Sequence, residues 1–205
     1  MDALERAQPL PETAAALDAE MIISHVAGLC GDAAGWDELI RAAGARPSRR
    51  SGALLRGLAV LLPEPQAGRA AEAFGDLPGA YRPAWAQAIG ALRVETCWYG
   101  TSEEQTAYAF LLASYTYDGA EPHAVAVSID HANGGVAKDV FVTDGPGIEV
   151  TRDRLAGFSA EFGEVDAATA HRHLADAYTA TAEQSDDIRS LRVLCERRTR
   201  AFGDG

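Results

Sequence analysis

The residues best equipped for chemistry lie in one stretch, Thr106 to Asp144, reading TAYAFLLASYTYDGAEPHAVAVSIDHANGGVAKDVFVTD. His123, Asp130, His131, Lys138 and Asp139 gather there around an Asn133-Gly134-Gly135 turn. Two carboxylates brought together, Asp130 with Asp139, can bind a divalent cation, or share one proton so that one pKa rises for general acid work. A metal site would need a third ligand from elsewhere in the chain. An imidazole beside an ammonium, His131 with Lys138, has its pKa lowered, which suits a general base near neutrality. The candidate catalytic residues are therefore Asp130, His131, Lys138 and Asp139. Asp130 and Asp139 are the candidate metal ligands, and no other cofactor is indicated.

Asn-Gly is the favoured two-residue hairpin turn, because both positions accept positive φ. It sets Ser128 opposite Asp139 and Asp130 opposite Ala137, whereas a Gly134-Gly135 turn sets Asp130 opposite Asp139 and His131 opposite Lys138. Both registers keep the same side-chain parity, and only a bulged loop flips one strand. One face then carries Val125, Val127, Ile129, Val136, Val140 and Val142, a core pattern, with His123, His131, Lys138 and Asp144 at its fringe. The other carries Ala124, Ala126, Ser128, Asp130, Ala137, Asp139, Phe141 and Thr143. Two readings of this second face stand side by side: a solvated sheet surface, or a shallow site whose small residues let something approach the strands.

Other chemistry-bearing residues have simpler explanations. His171 and His173 on a helix diverge by about 200°, so a regular helix cannot direct both to one metal. Cys97 beside Trp98 reads as a buried structural cysteine in preference to a nucleophile. Gly134-Gly135 lacks the strand-to-helix context of a phosphate loop. The HEXXH, G-x-S-x-G, P-loop and G-x-G-x-x-G motifs are absent from the chain.

The elements that must position these residues follow from periodicity and punctuation. Residues 1–12 hold two prolines and read as a loose, flexible arm. Five short helices follow over 13–93: one from Thr13 to Gly28, one capped by Asp32, one capped by Ser48 or Ser51, one from Pro65 to Phe74, and one opened by Pro83. The pattern then changes. Val94 to Tyr99, Ala107 to Tyr117, His123 to His131 and Val136 to Thr143 read as strands separated by turn signals, with Asp118-Gly119 between the second and third. A short helix from Thr151, a long one capped by Asp166 and a last one capped by Ser185 complete the chain. The expectation is an α+β fold. It has a helical N-terminal half (13–93), a small antiparallel meander of three to four strands, and C-terminal helices packing on the sheet within 94–205, the whole forming one compact domain.

Composition limits the function. Lys and Arg total 18 against 30 Asp and Glu, a formal charge of -12. Such a balance repels phosphate backbones and anionic membranes, so nucleic-acid binding is disfavoured and a basic partner favoured. The three cysteines, Cys30, Cys97 and Cys195, are odd in number and have no zinc spacing. Together with the lack of a basic-then-apolar leader at the N-terminus and of any long apolar run, this predicts a soluble cytoplasmic protein.

At His123, Ala124, Asp130, His131, Gly134, Gly135, Lys138 and Asp139 the chain resembles a family of uncharacterised proteins from high-GC actinomycetes, which share a hairpin of the form H-A-x5-D-H-x2-G-G-x2-K-D. The likeness extends loosely to the tract around Trp98 and Gly100, within residues 83–145. It implies a helical N-terminal half preceding the hairpin and carries no activity with it. With no recognised catalytic or cofactor motif, the expected function is an interaction or regulatory module. It would act on a protein partner through a helical groove and an acidic surface, with a small-molecule ligand as a further option. The alternative is a small hydrolytic or acid/base enzyme, metal-assisted or not, around residues 130–139.

Overall fold

The computed structural model describes residues 3–13, 15–79, 81–102, 107–159, 161–181 and 185–201. In chain order the helices and strands are α1 (Ala3–Arg6), α2 (Ala16–Cys30), α3 (Ala33–Gly44), α4 (Arg49–Leu61), α5 (Gln66–Gly75), α6 (Trp85–Gly90), β1 (Leu92–Thr101), β2 (Tyr108–Tyr117), β3 (Ala120–Asp130), β4 (Val136–Asp144), α7 (Gly145–Ala156), β5 (Gly163–Val165), α8 (Ala167–Ala180) and α9 (Asp186–Ala201). This is the expected α+β fold. Two compact units divide it. One comprises residues 1–91 with 189–197, the other 92–188 with 198–205.

In the first unit α3 and α4 are capped where the sequence predicts. Asp32 accepts from the amides of Ala34 and Gly35, and Ser48 from that of Ser51. Each such cap is worth about 1 kcal/mol. Thr13 does not cap: α2 begins behind Ala15, and the Thr13 hydroxyl donates to the Pro9 carbonyl. Ala14, expected in that first turn, lies outside the described residues. The segment expected as a loose arm carries α1 and a 3-10 turn over Leu10–Glu12. Ala7 and Leu10 within it are fully buried, so apolar burial orders this segment despite its prolines. The α9 segment packs on α2 closely enough that a side chain at Gly28 would strike the Arg189 carbonyl. There Ser24 donates to the Ser190 carbonyl (2.8 Å) and accepts from the Leu194 amide (3.1 Å). Arg197 and Glu20 form a buried ion pair at 2.8 Å, and the guanidinium also donates to the Ile89 carbonyl.

The second unit is a five-stranded antiparallel sheet of order β4-β3-β2-β1-β5. Strands β1 to β4 form the expected meander. The fifth strand, three residues long, pairs with the outer edge of β1 through Cys97, Trp98 and Tyr99; its Gly-Glu-Val sequence is too short to show a period. Asp118 (φ 52°) and Gly119 (φ 83°) make a two-residue turn of left-handed residues between β2 and β3. A bulge follows at once: Tyr117 pairs with Ala120 but Tyr115 with His123, and Glu121 takes φ 47°.

Both faces of the sheet are covered. Leu111, Ala113, Tyr115, Val125, Val127 and Ile129 lie buried on one face, against which α8 sets Ala170, Leu174 and Ala177. The other face was expected either as a solvated surface or as a shallow site. It is neither over most of its length. Ala124 and Ala126 (0% and 1% exposed) pack with Leu112 and with Leu155 of α7, flanked by Trp98, Ile148 and Phe162. The small residues there admit a helix of the chain's own. Asp144 caps α7 by accepting from the Gly147 amide, and Asp166 caps α8 by accepting from that of Thr169.

Gly100 has a steric requirement. A Cβ there would stand 2.7 Å from the Phe162 Cα and 2.8 Å from the Glu161 carbonyl oxygen, both backbone atoms. Gly100→Ala is expected to destabilise the protein by about 1–3 kcal/mol, read as a lower melting temperature. Gly75→Ala, where the added Cβ meets nothing within 4 Å, serves as the control and should be neutral or slightly stabilising.

Candidate functional site

The hairpin that holds the sequence candidates closes through neither predicted two-residue turn. His131–Asn133 form a 3-10 turn, followed by Gly134 (φ 86°) and Gly135 (φ 79°), both left-handed. Asp130 drives this geometry. Its Oδ2 accepts from the Asn133 side-chain amide (2.8 Å) and its Oδ1 from the Asn133 backbone amide (3.3 Å), while its carbonyl accepts from the Gly135 amide (2.8 Å). The Asn133 side chain, its largest influence, holds the Asp130 carboxyl below the usual carboxylate range against the opposing effect of burial. Asp130 is therefore an ionised structural cap. It is not the raised-pKa acid of a shared-proton pair.

Away from the tip, the Asn-Gly register is the one adopted: Ser128 lies opposite Asp139 and His123 opposite Asp144. The ladder then slips. Ile129 pairs with Ala137 and Asp130 with Val136, which leaves Lys138 as an extra residue in β4. This bulge separates the predicted pairs. Asp130 faces Val136 and not Ala137 or Asp139. Lys138, expected beside His131 at the edge of the valine face, instead reaches Tyr108 on the other face. Its Nζ donates to the Tyr108 hydroxyl at 2.7 Å and lies 4.5 Å from the ring centroid. That hydrogen bond is the main influence raising the Lys138 pKa, with Asp130 and Asp139 adding to it. Lys138 and His131 thus turn to opposite faces, and the expected His131–Lys138 pair is not brought together.

His131 is drawn to the α8 side. Its Nε2 lies 3.4 Å from the Tyr99 hydroxyl, and Tyr99 stacks on His173 of α8, with centroids 4.0 Å apart and planes within 6°. Burial is the first cause lowering the His173 pKa, with Arg172 assisting. The third histidine, His123, is fully buried. Its Nδ1 lies 2.8 Å from the Glu121 carbonyl and therefore donates to it, and its Nε2 accepts from Arg198 at 2.8 Å. The imidazole is neutral and structural.

What remains together is a cleft of ≈ 270 Å3 at the uncovered end of the α7 face. Tyr108, Lys138 and Asp139 contribute its ionisable groups, Ser102 and Ser128 its hydroxyls, and Phe110 with Phe158 its apolar walls. Phe158 is 54% exposed, and Phe110 joins the cleft to the core beneath α7. Of the sequence candidates, only Lys138 and Asp139 line it. Tyr108, Phe110 and Phe158 were missed. Tyr108 sits opposite Asp130 only because the Glu121 bulge shifts β3 by one residue; the Asp118-Gly119 turn alone would have placed Ile129 there. Phe158 follows α7 in a segment with no periodic signal.

Among the described residues no three His, Cys, Asp or Glu side chains come together as a metal site. Among these residues no third ligand stands beside Asp130 and Asp139, and the oxygens of Asp130 are engaged by Asn133. Cys97 is no nucleophile: burial, its main influence, pushes its pKa up to about 12. No protein-family model, curated protein or solved structure matches the chain.

Two outcomes are expected. Asn133→Ala should raise the Asp130 pKa toward the ordinary carboxylate value, as followed by carboxyl NMR titration. Because the folded pKa is depressed, Asp130's contribution to stability is complete above the ordinary carboxylate range and is lost as pH falls through the depressed value, and the variant should show a smaller dependence. Cys97 should resist alkylation in the native protein at pH 8 and react only on unfolding, as counted by mass spectrometry.

Proposed function

We propose that the protein is an interaction or regulatory module that recognises a small ligand, or a small group on a larger one, in the cleft of the α7 face. The observation that carries this reading is the composition of the cleft. A charged pair, hydroxyls and two aromatic walls converge on one concavity. The helical groove expected in the N-terminal half has a smaller counterpart, a depression of ≈ 160 Å3 lined by Pro47, Ser48, Arg49 and Tyr81, in which Arg49 lies over the Tyr81 ring. It offers one charged group against the cleft's two, so the cleft is the better recognition site. The charge of -12 favours basic macromolecular partners elsewhere on the surface.

An acid/base enzyme would have to work through Lys138, Asp139 and Tyr108, since Asp130 is held by Asn133 and Tyr108 and His131 lies against Tyr99. The three free cysteines support a reducing, cytoplasmic setting for either activity. Among the described residues no helix is long and apolar enough to cross a membrane.

A fragment screen followed by protein NMR tests the proposal. Hits should shift the amides of Tyr108, Ser128 and Phe158, and Ser128→Leu, which fills the cleft floor, should abolish them. Hits that fall elsewhere, or that survive Ser128→Leu, would overturn it. Turnover of ester or phosphoester probes that is lost in both Lys138→Met and Asp139→Asn would favour the enzyme instead.

A further inference from the structure

Adjacent residues of a regular strand point to opposite faces. Lys138 and Asp139 both line the same cleft, and the β4 bulge makes this possible. Among the described residues neither is consumed by an ion pair. The ammonium's hydrogen bond goes to the Tyr108 hydroxyl, and no hydrogen bond or ion pair holds the Asp139 carboxylate. The two charges are neighbours in sequence, lie in one small concavity, and are not joined in an ion pair.

Resting on the reading of this cleft as a recognition site, we infer that its ligand is a small zwitterion of the free α-amino-acid type bearing an aromatic side group. The ligand carboxylate meets the Lys138 ammonium, the ligand ammonium meets Asp139, and the ring lies between Phe110 and Phe158. Both signs are needed. A simple anion would set its charge against Asp139, and a simple cation against Lys138. A zwitterion is net neutral, so the field of a chain with charge -12 does not oppose its approach. The volume agrees: ≈ 270 Å3 lies just below the roughly 300–1,000 Å3 of drug-sized pockets, which suits a metabolite. The hydroxyls of Ser102 and Ser128 supply further polar atoms on the same lining. No bond is made or broken in this role.

Calorimetric titration with three probes tests the inference: L-phenylalanine, 3-phenylpropionate, which lacks the ammonium, and phenethylamine, which lacks the carboxylate. L-phenylalanine should bind, with each truncated probe weaker by about tenfold or more, the size expected of one lost charge-assisted contact. Lys138→Met should weaken L-phenylalanine by a similar factor while leaving phenethylamine no weaker, and Asp139→Asn should do the same while leaving 3-phenylpropionate no weaker. Both side chains are exposed, so circular dichroism and melting temperature should stay at wild-type values. A truncated probe binding as tightly as L-phenylalanine, or no binding by any of the three, would overturn the inference. If the fragment screen meanwhile finds hits that Ser128→Leu abolishes, the cleft remains a recognition site and only the zwitterion assignment fails. If it finds none there, the parent reading fails as well.

Discussion

The second unit depends on the pairing of β2 with β3. These two strands are buried on both faces along most of their length, and every other strand is added outward from them. Leu111, Ala113 and Tyr115 contribute to one core, Leu112 to the other, so the sheet cannot shift β2 by one residue without exchanging the two cores. Such a constraint fixes more than stability. It sets the height at which Tyr108 and Phe110 end the covered region, and therefore where the cleft begins.

The two bulges on either side of that pairing decide which side chains share the cleft. The first, at Glu121, brings Tyr108 into register with Asp130. The second, at Lys138, turns a residue that alternation would have sent toward α8 onto the α7 face. Each costs unpaired ladder positions, and each is held by a specific hydrogen bond. The His123 ring donates to the Glu121 carbonyl, and Thr181 accepts from the Ala137 amide beside Lys138. Both contacts are made to backbone groups whose neighbours the bulges have displaced, and the second satisfies the buried Ala137 amide.

The sequence was legible wherever local rules govern structure. Asp32, Ser48 and Asp166 cap the helices predicted for them because capping needs only one side chain and the amides two or three residues ahead. All four longer strands fall where alternation and turn residues set them, and the Asn-Gly register holds from Ser128 to His123. The face assignment of Lys138 failed for a non-local reason. Parity arguments carry a face assignment along a strand only while the ladder is unbroken, and one inserted residue reverses every assignment beyond it. Lys138 is that residue. The small-residue face was misread for a related reason: alanines can lie under solvent, a ligand or a helix, and the strand alone does not say that Leu155 and Ile148 will return to cover them.

The hairpin tip shows how one polar side chain can override a strong turn preference. Asn133-Gly134 is well suited to a two-residue turn, yet Asp130, three residues before Asn133, offers a carboxylate to both donors of that residue. Accepting them draws His131–Asn133 into a 3-10 turn, and the chain must then regain the ladder through two successive left-handed positions, which Gly134 and Gly135 supply. The five-residue connection leaves the strands one residue out of step with the register below, and the excess is absorbed at Lys138. The conformation of the turn and the placement of the ammonium are thus one event. Had the tip closed as a two-residue turn, Asp130 would lie opposite Ala137 and alternation would carry Lys138 to the α8 side, leaving the cleft with Asp139 alone as its charge.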